Sequence, residues 1–269
     1  MRRVEKRPPI ARRPARPGGA LRRRIDIATF PGEARAVLED DFHNFRVSVR
    51  HRDGVVTAVT SEAPRHPNAL CPAAGQRLSE LVGMRLDASS VAAHQRTDAR
   101  LQCTHQIDLA GLAIAALANG LAARTYEVEM PDRVDGAATA RLWRDGALLL
   151  SWDMRDGAIV SPEPFSGREL GSGFTGWAST ALPADLAEAA LVLRRAVFIS
   201  SGRTIDLDTP GMRTGPIGGC WAWQPERADA AVRMVGSTWD FTDLREALTR
   251  GDQAWLRAKD HASPPGDMN

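Results

Sequence analysis

The chain has 269 residues, of which 43% are hydrophobic and 25% are charged, as expected for a globular protein with a full core. No apolar run approaches the roughly 20 residues that a membrane helix needs, and three scattered cysteines argue against a secreted disulfide framework. Nine arginines, one lysine and one glutamate give residues 1–24 a charge of +9, so the remainder of this +2 chain carries −7. An acidic body argues against a core that binds nucleic acid.

The basic N-terminus is proline-rich and has no apolar face to bury, so residues 1–23 are predicted to be disordered. No apolar segment follows it, and we therefore expect no secretory signal. Reduced thiols then fit a cytoplasmic location. A single α+β domain is predicted over residues 24–262, followed by a disordered end over 263–269.

Two stretches of alternating polar and apolar residues, 36–60 and 124–160, predict strands. Asp–Gly pairs favour the two-residue turns of hairpins, because both positions tolerate a positive φ. The pairs lie at Asp53–Gly54, Asp135–Gly136, Asp145–Gly146 and Asp156–Gly157. These patterns predict antiparallel meanders packed against several helices.

Helices are predicted between and after the strands from apolar spacing, prolines in the first turn and closing glycines. The predicted helices cover about 72–83, 105–119, 183–200, 224–235 and 242–259. No linker clearly divides the chain after residue 24, which favours one domain over two.

Asp41 and His43 form the first candidate site. Two residues apart on a strand, they would share one face, and a carboxylate beside an imidazole raises its basicity and fixes its tautomer. The pair could act in acid–base catalysis. A solvated strand start explains the same residues equally well.

The segment from Cys103 to Asp108 forms the second candidate site. His105 and Asp108 lie three residues apart at the start of a predicted helix and therefore on one face. Paired with Asp108 and close to Cys103, His105 could be a general base or part of a metal site. The alternative is a capping segment with a partly buried histidine. Zinc sites usually combine several short ligand spacings, so no metal is expected.

Arginines and tryptophans supply candidates for substrate binding. Arg65, in front of a proline-ordered loop, could clamp a carboxylate, and Arg50 is the second candidate for that role. Trp221 and Trp223 could wall an aromatic pocket, although such residues are more often core. Of the adjacent Arg194 and Arg195 on a predicted helix, at most one can face a pocket.

Several segments together resemble the bacterial DUF2889 family. They are His43-Asn44-Phe45, Arg65-x-Pro67, Cys71-Pro72, Cys103-Thr104-His105 with Asp108-Leu109, Leu193-Arg194-Arg195-Ala196, and Gly236-Ser237-Thr238 with Asp240-Phe241. The resemblance covers nearly everything after residue 24, and its Cys-Thr-His motif is the most specific part. The family name carries no reaction.

The chain also looks, more distantly, like cofactor-independent carbon–carbon lyases of lignin-derived aromatic catabolism. That likeness implies a decarboxylase or formaldehyde lyase acting on a small phenolic molecule through a quinone-methide-like intermediate, without cofactor. A histidine–carboxylate pair would deprotonate the phenol, an arginine would hold any carboxylate, and tryptophans would sandwich the rings. Cys103 is included among the substrate-binding residues.

Two other functions remain open at this point. One is an acyl-thioester or metal-dependent hydrolase that uses Cys103 and His105. The other is a non-catalytic accessory subunit. We expect neither nucleic acid nor membrane as a partner, and a homodimer is one oligomeric state open to the chain.

Overall fold

The structure, a computed structural model, describes residues 18–207 and 217–258. The disorder predicted for residues 1–17 and 263–269 therefore lies outside the described residues. Within them, eight strands form one antiparallel sheet in the order β4-β3-β2-β1-β5-β6-β7-β8. The strands are β1 (Ala20–Phe30), β2 (Glu33–Asp40), β3 (Asn44–Arg52), β4 (Val55–Arg65), β5 (Ala123–Pro131), β6 (Ala137–Arg144), β7 (Ala147–Arg155) and β8 (Ala158–Ser161).

Strand β1 joins the two predicted meanders into a single sheet. Ile25 pairs with Leu38 of β2 on one side and with Tyr126 of β5 on the other. The β1–β5 pair thereby bridges a sequence separation of about a hundred residues. The predicted α+β class, a single domain with antiparallel meanders and helices, is confirmed.

The four Asp–Gly turns close hairpins as predicted. Asp53, Asp135, Asp145 and Asp156 have φ values of 48° to 52°, and each following glycine also has a positive φ. Two consecutive positive φ angles define the turn that matches the twist of paired strands. These turns fix the register of β3–β4 and of the β5–β8 meander.

Part of the segment predicted to be disordered belongs to the sheet. Strand β1 starts at Ala20, inside the segment predicted to be disordered through residue 23. Leu21 is fully buried and pairs with Met130, and Arg23 is buried against Asp40. The arginines concealed the alternation, because a buried arginine counts as polar until its carboxylate partner is known.

Six α-helices occur in the described part of the chain. They are α1 (Cys71–Ala74), α2 (Ala92–Arg96), α3 (Thr104–Ala118), α4 (Phe174–Ala181), α5 (Ala184–Ser200) and α6 (Gln253–Arg257). The predictions for α3 and α5 are confirmed. The helix predicted over 72–83 forms as α1 followed by the tighter 3₁₀ helix Gly75–Leu81.

The two helices predicted after residue 223 were wrong. Residues 224–235 contain only the single 3₁₀ turn Ala228–Ala230, and Val232 and Val235 are exposed rather than aligned on a buried face. The stretch 242–259 is interrupted at Thr249, whose φ of 58° cannot continue a helix, so that only α6 forms. Bonds from Thr249 to Asp26 and Glu39 stabilise this interruption.

Helices α3 and α5 cover neighbouring areas of the sheet. Helix α3 packs on β1, β2 and β3, while α5 packs on β1, β5, β6 and β7. Because both helices meet over β1, a hollow remains between them above that strand. None of the helices in residues 18–207 and 217–258 is long and apolar enough to cross a membrane.

Candidate functional site

A cavity of about 270 Å³ occupies the hollow between α3, α5 and the sheet. Its apolar walls consist of Ile25 and Leu38 from the sheet, Leu109 and Leu112 from α3, and Leu191 and Val192 from α5. Charged and polar groups also line it, contributed by Arg23, Ser90, His94, Asp108, Thr175, Glu188, Arg194 and Arg195. An apolar hollow with a few convergent polar groups is the usual form of a small-molecule site.

Asp108 accepts hydrogen bonds from two directions at one end of the cavity. Its Oδ1 lies 2.7 Å from Nε2 of His94, and its Oδ2 lies 2.7 Å from Nε of Arg195. Burial by itself would raise the pKa of Asp108, but the charge of Arg195 and the hydrogen bond from His94 hold it well below its usual range. Asp108 is therefore a carboxylate that orients an imidazole and a guanidinium.

The remaining nitrogens of His94 and Arg195 are available to a bound molecule. No described residue hydrogen-bonds Nδ1 of His94 or the two Nη atoms of Arg195. The His94, Asp108 and Arg195 side chains are each about a quarter exposed, at 26%, 27% and 23%. When Nε2–H of a neutral histidine donates to a carboxylate, Nδ1 is left as a proton acceptor. The cluster thus combines an oriented imidazole with a guanidinium whose two Nη atoms can bind an anion. We call this guanidinium the anion fork.

Glu188 forms a second polar group in the same cavity. It accepts a short hydrogen bond from the hydroxyl of Tyr126 and is also hydrogen-bonded to Ser90. Burial is the main cause of the raised pKa of Glu188. Glu188 and Arg195 lie seven residues apart on α5, so they share a face about two turns, or about 10 Å, apart.

Gly111 allows the segment that carries Ser90 and His94 to lie against α3. A Cβ at residue 111 would overlap the carbonyl oxygen of Ser90, and Ala93 is also close. The chain at Ser90 and the start of α2 can therefore lie against α3 only because residue 111 has no side chain. This contact brings His94 within reach of Asp108.

The substitution Gly111→Ala is expected to destabilise the protein by about 1–3 kcal/mol, because a backbone carbonyl must shift to accommodate the new methyl group. Urea unfolding measures the loss. Gly176→Ala on α4, where a Cβ meets nothing within 4 Å, is the matched control and should not destabilise. Equal stability of Gly111→Ala and the wild type would contradict the close packing at this contact.

His105 does not pair with Asp108 as the sequence predicted. Three residues along a helix leave side chains about 60° apart, and here Asp108 faces the cavity while His105 faces the sheet. His105 stacks on His43 with ring centroids 4.0 Å apart, and its Nε2 is buried without a hydrogen-bond partner. Neither histidine lines the cavity.

The predicted pairing of Asp41 with His43 was also wrong. Residues 41–43 form the turn between β2 and β3 rather than part of a strand. Nδ1 of His43 lies 2.9 Å from Oδ1 of Asp40, whose Oδ2 accepts from Arg23. Asp41 instead pairs with Arg203. The Asp40 and Asp41 carboxylates serve a buried charge network behind the cavity.

Burial lowers the pKa of His43 and, more strongly, of His105. The unfolded chain takes up protons on these histidines below their ordinary pKa of about 6.5, whereas the folded protein does not. Their contribution to stability is therefore present at neutral pH and is lost as the pH falls. Between pH 7.5 and 5.5 we expect these two histidines to lower the free energy of unfolding by about 1–3 kcal/mol. Asp41, whose pKa burial raises to about 7, opposes this loss in both the wild type and a His105 variant.

The variant His105→Phe isolates one part of this effect. Phenylalanine keeps the ring stack and removes a nitrogen that has no partner, so stability at pH 7.5 should be equal or higher. The loss on going to pH 5.5 should shrink by about 1 kcal/mol. Urea titrations of both proteins at the two pH values measure it, and parallel pH curves would contradict the buried, neutral state of His105.

Arg65 lies in the buried network and not at the cavity, contrary to its predicted role as an anion clamp. Its two Nη atoms donate to the main-chain carbonyls of Asp40, Asp41, His43 and Ser237. Its guanidinium also stacks over Trp239, 4.3 Å from the ring centroid. No side of this side chain is open to a ligand carboxylate, because Arg65 is only 7% exposed.

The other predicted substrate-binding residues are also absent from the cavity lining. Arg50 lies near the far end of β3, beside Glu33 at 3.8 Å. Trp221 and Trp223 form a short 3₁₀ turn, with Trp221 stacked on Arg227 and Trp223 packed in a small separate cluster. Cys103 is buried at the N-terminus of α3, next to the cavity wall but not part of it.

Cys103 is poorly suited to act as a nucleophile. Burial raises its pKa to about 11, so it remains a thiol at neutral pH, and the thiolate is the reactive form. Within residues 18–207 and 217–258, no group of three or more His, Cys, Asp or Glu side chains is arranged to hold a metal ion. The cavity residues and not Cys103 carry the polar chemistry.

His94, Glu188 and Arg195 are the site residues that sequence reasoning did not assign. His94 lies in a five-residue helix without a clear periodic signal. Arg195 was noted beside Arg194, and the structure shows which of the two reaches Asp108: Arg194 is occupied by the carbonyls of Leu170 and Gly171. For Glu188 and Arg195, the sequence signal was their seven-residue spacing, which places both on one face of a helix.

No model of a known protein family matches the chain, and no curated protein sequence matches it. The resemblance to the DUF2889 family accordingly stays a prediction based on the motifs given above.

Proposed function

We propose that this protein is a cofactor-independent carbon–carbon lyase that decarboxylates a phenolic, lignin-derived aromatic acid. The observation that supports it best is the convergence of His94 and Arg195 on Asp108 at one end of an apolar cavity. Both side chains keep nitrogens available for a ligand. A proton donor for the side chain, a guanidinium for the carboxylate and apolar walls for the ring are three requirements of this reaction.

Arg195 would hold the carboxylate of the substrate through its Nη atoms. A guanidinium matches the two oxygens of a carboxylate in a forked arrangement. Because Asp108 already balances its charge, Arg195 can orient the carboxylate without adding net positive charge that would oppose loss of CO₂. This arrangement favours decarboxylation over loss of formaldehyde, which leaves from a neutral hydroxymethyl group.

His94, when it carries a proton on Nδ1, would transfer the proton that the reaction consumes, and it would take the next one from solvent. As the phenolic hydroxyl releases its proton, its oxygen donates an electron pair through the ring to the side chain, and the carbon that bears the carboxylate takes the proton from His94. The bond from that carbon to the carboxylate then breaks. CO₂ leaves, and its bonding electrons restore the ring and the double bond. The phenolate of the product later takes its own proton back. One proton is taken up for each CO₂ released, with no oxidation or reduction.

The apolar walls would favour the intermediate of this sequence. Transfer of the phenolic proton and protonation of the side chain leave a quinone methide that is uncharged apart from its carboxylate. Leu109, Leu112 and Leu191 present hydrocarbon to such a ring and exclude water that would add to it. The phenol supplies and recovers the electron pair, so the proposed reaction needs no external electron acceptor.

A matched pair of substrates tests the proposal. The purified protein is incubated with trans-4-hydroxycinnamate, its 3-methoxy derivative and a two-ring lignin-derived phenolic acid, and CO₂ release is measured. The O-methyl ethers are the controls, since they cannot form a quinone methide. We expect CO₂ only from free phenols. No CO₂ from any of the acids, or equal CO₂ from phenols and ethers, would contradict the proposal.

A further inference from the structure

A second polar group at a fixed distance from the anion fork limits which acids the cavity accepts. Glu188 and Arg195 lie on one face of α5, separated by about 10 Å, and both line the cavity. Val192 lies between them on that face. The cavity therefore has two polar groups separated by an apolar middle.

Glu188 is well prepared to bind a hydroxyl group. Its carboxyl accepts from Tyr126 and is hydrogen-bonded to Ser90, which leaves further lone pairs of its oxygens for a third donor. Tyr126 is fully buried and is itself contacted by Arg124, whose Nη1 lies 3.3 Å from the phenolic oxygen. These bonds fix the Glu188 carboxyl at the cavity wall, so a ligand hydroxyl would meet a positioned acceptor.

We propose that Glu188 is a specificity-determining residue that binds the phenolic hydroxyl of an acid whose carboxylate is held by Arg195. This inference rests on the proposed function for its anion-binding end. A ligand that reaches both groups carries a carboxylate and a para hydroxyl at opposite ends of an aromatic ring. An acid without a hydroxyl leaves Glu188 without a ligand partner.

Hydrogen bonding to Glu188 would also serve the reaction. An acceptor at the hydroxyl draws the phenolic proton away from the ring oxygen and so increases the electron density that the oxygen donates. Tyr126 and Ser90 then stabilise whichever form of the carboxyl results. Glu188 would thus assist the electron push at one end of the substrate while His94 delivers the proton at the other.

Calorimetric titration of the full-length protein tests the inference through a cycle of two ligands and several variants. The ligands are 3-(4-hydroxyphenyl)propanoate and 3-phenylpropanoate, which differ by the hydroxyl alone and lack the double bond that the proposed reaction protonates, so they are not turned over. For the wild type we expect the hydroxylated acid to bind about tenfold more tightly, the value of one hydrogen bond to a carboxyl group. For Glu188→Met the two acids should bind equally, and Glu188→Gln should give an intermediate ratio.

Glu62→Met is the control, because this glutamate is 55% exposed on β4 and pairs with Arg46, away from the cavity. It should show the wild-type ratio. Thermal unfolding confirms that each variant is folded, and Glu188→Gln, which keeps an acceptor for Tyr126, provides the measurement if Glu188→Met does not fold. A wild-type ratio near one, or a tenfold ratio that persists in the Glu188 variants, would overturn the inference.

The outcomes separate this inference from the proposed function. CO₂ release from phenolic acids with a binding ratio that is independent of Glu188 would overturn the role of Glu188 alone. A Glu188-dependent ratio without CO₂ release would support that role and contradict the decarboxylase.

Discussion

Replacing His94 with glutamine is expected to lower CO₂ release from trans-4-hydroxycinnamate by about 10²- to 10⁴-fold, the usual contribution of a general acid–base group. Glutamine can still donate a hydrogen bond to Asp108, so the carboxylate and the Arg195 fork stay in place. It cannot exchange a proton at neutral pH. The loss should therefore appear in the maximal rate, whereas the affinity for the acid should change less than threefold.

The matched control is His66→Gln. His66 is also half-buried, but its Nδ1 lies 2.8 Å from the carbonyl oxygen of Ala63 and it does not line the cavity. Its substitution should leave CO₂ release within twofold of the wild type. His105→Phe should also remain active, because that ring faces the sheet. A His94→Gln protein with wild-type turnover would remove His94 from the mechanism.

Replacing Arg65 with methionine is expected to cost about 3–5 kcal/mol of stability, as for other buried charge networks that lose one partner. We expect this loss of stability because buried polar groups lose hydrogen-bond donors, and not because Arg65 takes part in catalysis. Four main-chain carbonyls would each lose a donor, although those of Asp41 and His43 keep a backbone N–H partner. The carboxylate of Glu39, 3.4 Å from Nη2, would lose a positive neighbour. The stack on Trp239 would also disappear.

Urea unfolding measures this loss, and Arg155→Met is the control. Arg155 is exposed at the end of β7, and its substitution should change stability by no more than about 0.5 kcal/mol. If Arg65→Met were as stable as the control but failed to bind phenolic acids, Arg65 would be the anion clamp that the sequence suggested. Loss of stability with binding retained in the folded fraction supports its structural role.

The features of the fold that the sequence predicts are local. An Asp–Gly pair forms its turn because of the φ preferences of two adjacent residues. The long apolar runs of α3 and α5 form helices that do not depend on which strands they pack against. The pairing of β1 with β5 is not local, because it joins residues about a hundred positions apart. The arginine-rich start of β1 further concealed it.

The site shows the same division between local and distant information. Asp108 was identified by its three-residue spacing from His105, so its partner was assigned from a neighbouring position. The actual partners, His94 and Arg195, come from another helix and from a residue 87 positions later. Arg65 and Asp41 were also predicted as site residues. Charged residues of these types occur both in buried ion networks and in binding sites, and the sequence alone does not distinguish the two.

Nuclear magnetic resonance of the histidine rings tests most directly whether a phenolic acid binds in the cavity beside His94. The protein, labelled with ¹⁵N in its histidines, is titrated with 3-(4-hydroxyphenyl)propanoate, which is not turned over, and the His94 signals are assigned from their absence in His94→Gln. We expect the ring nitrogens of His94 to shift as the acid saturates, while those of His66 stay unchanged. Unshifted His94 signals at saturating acid would contradict the account.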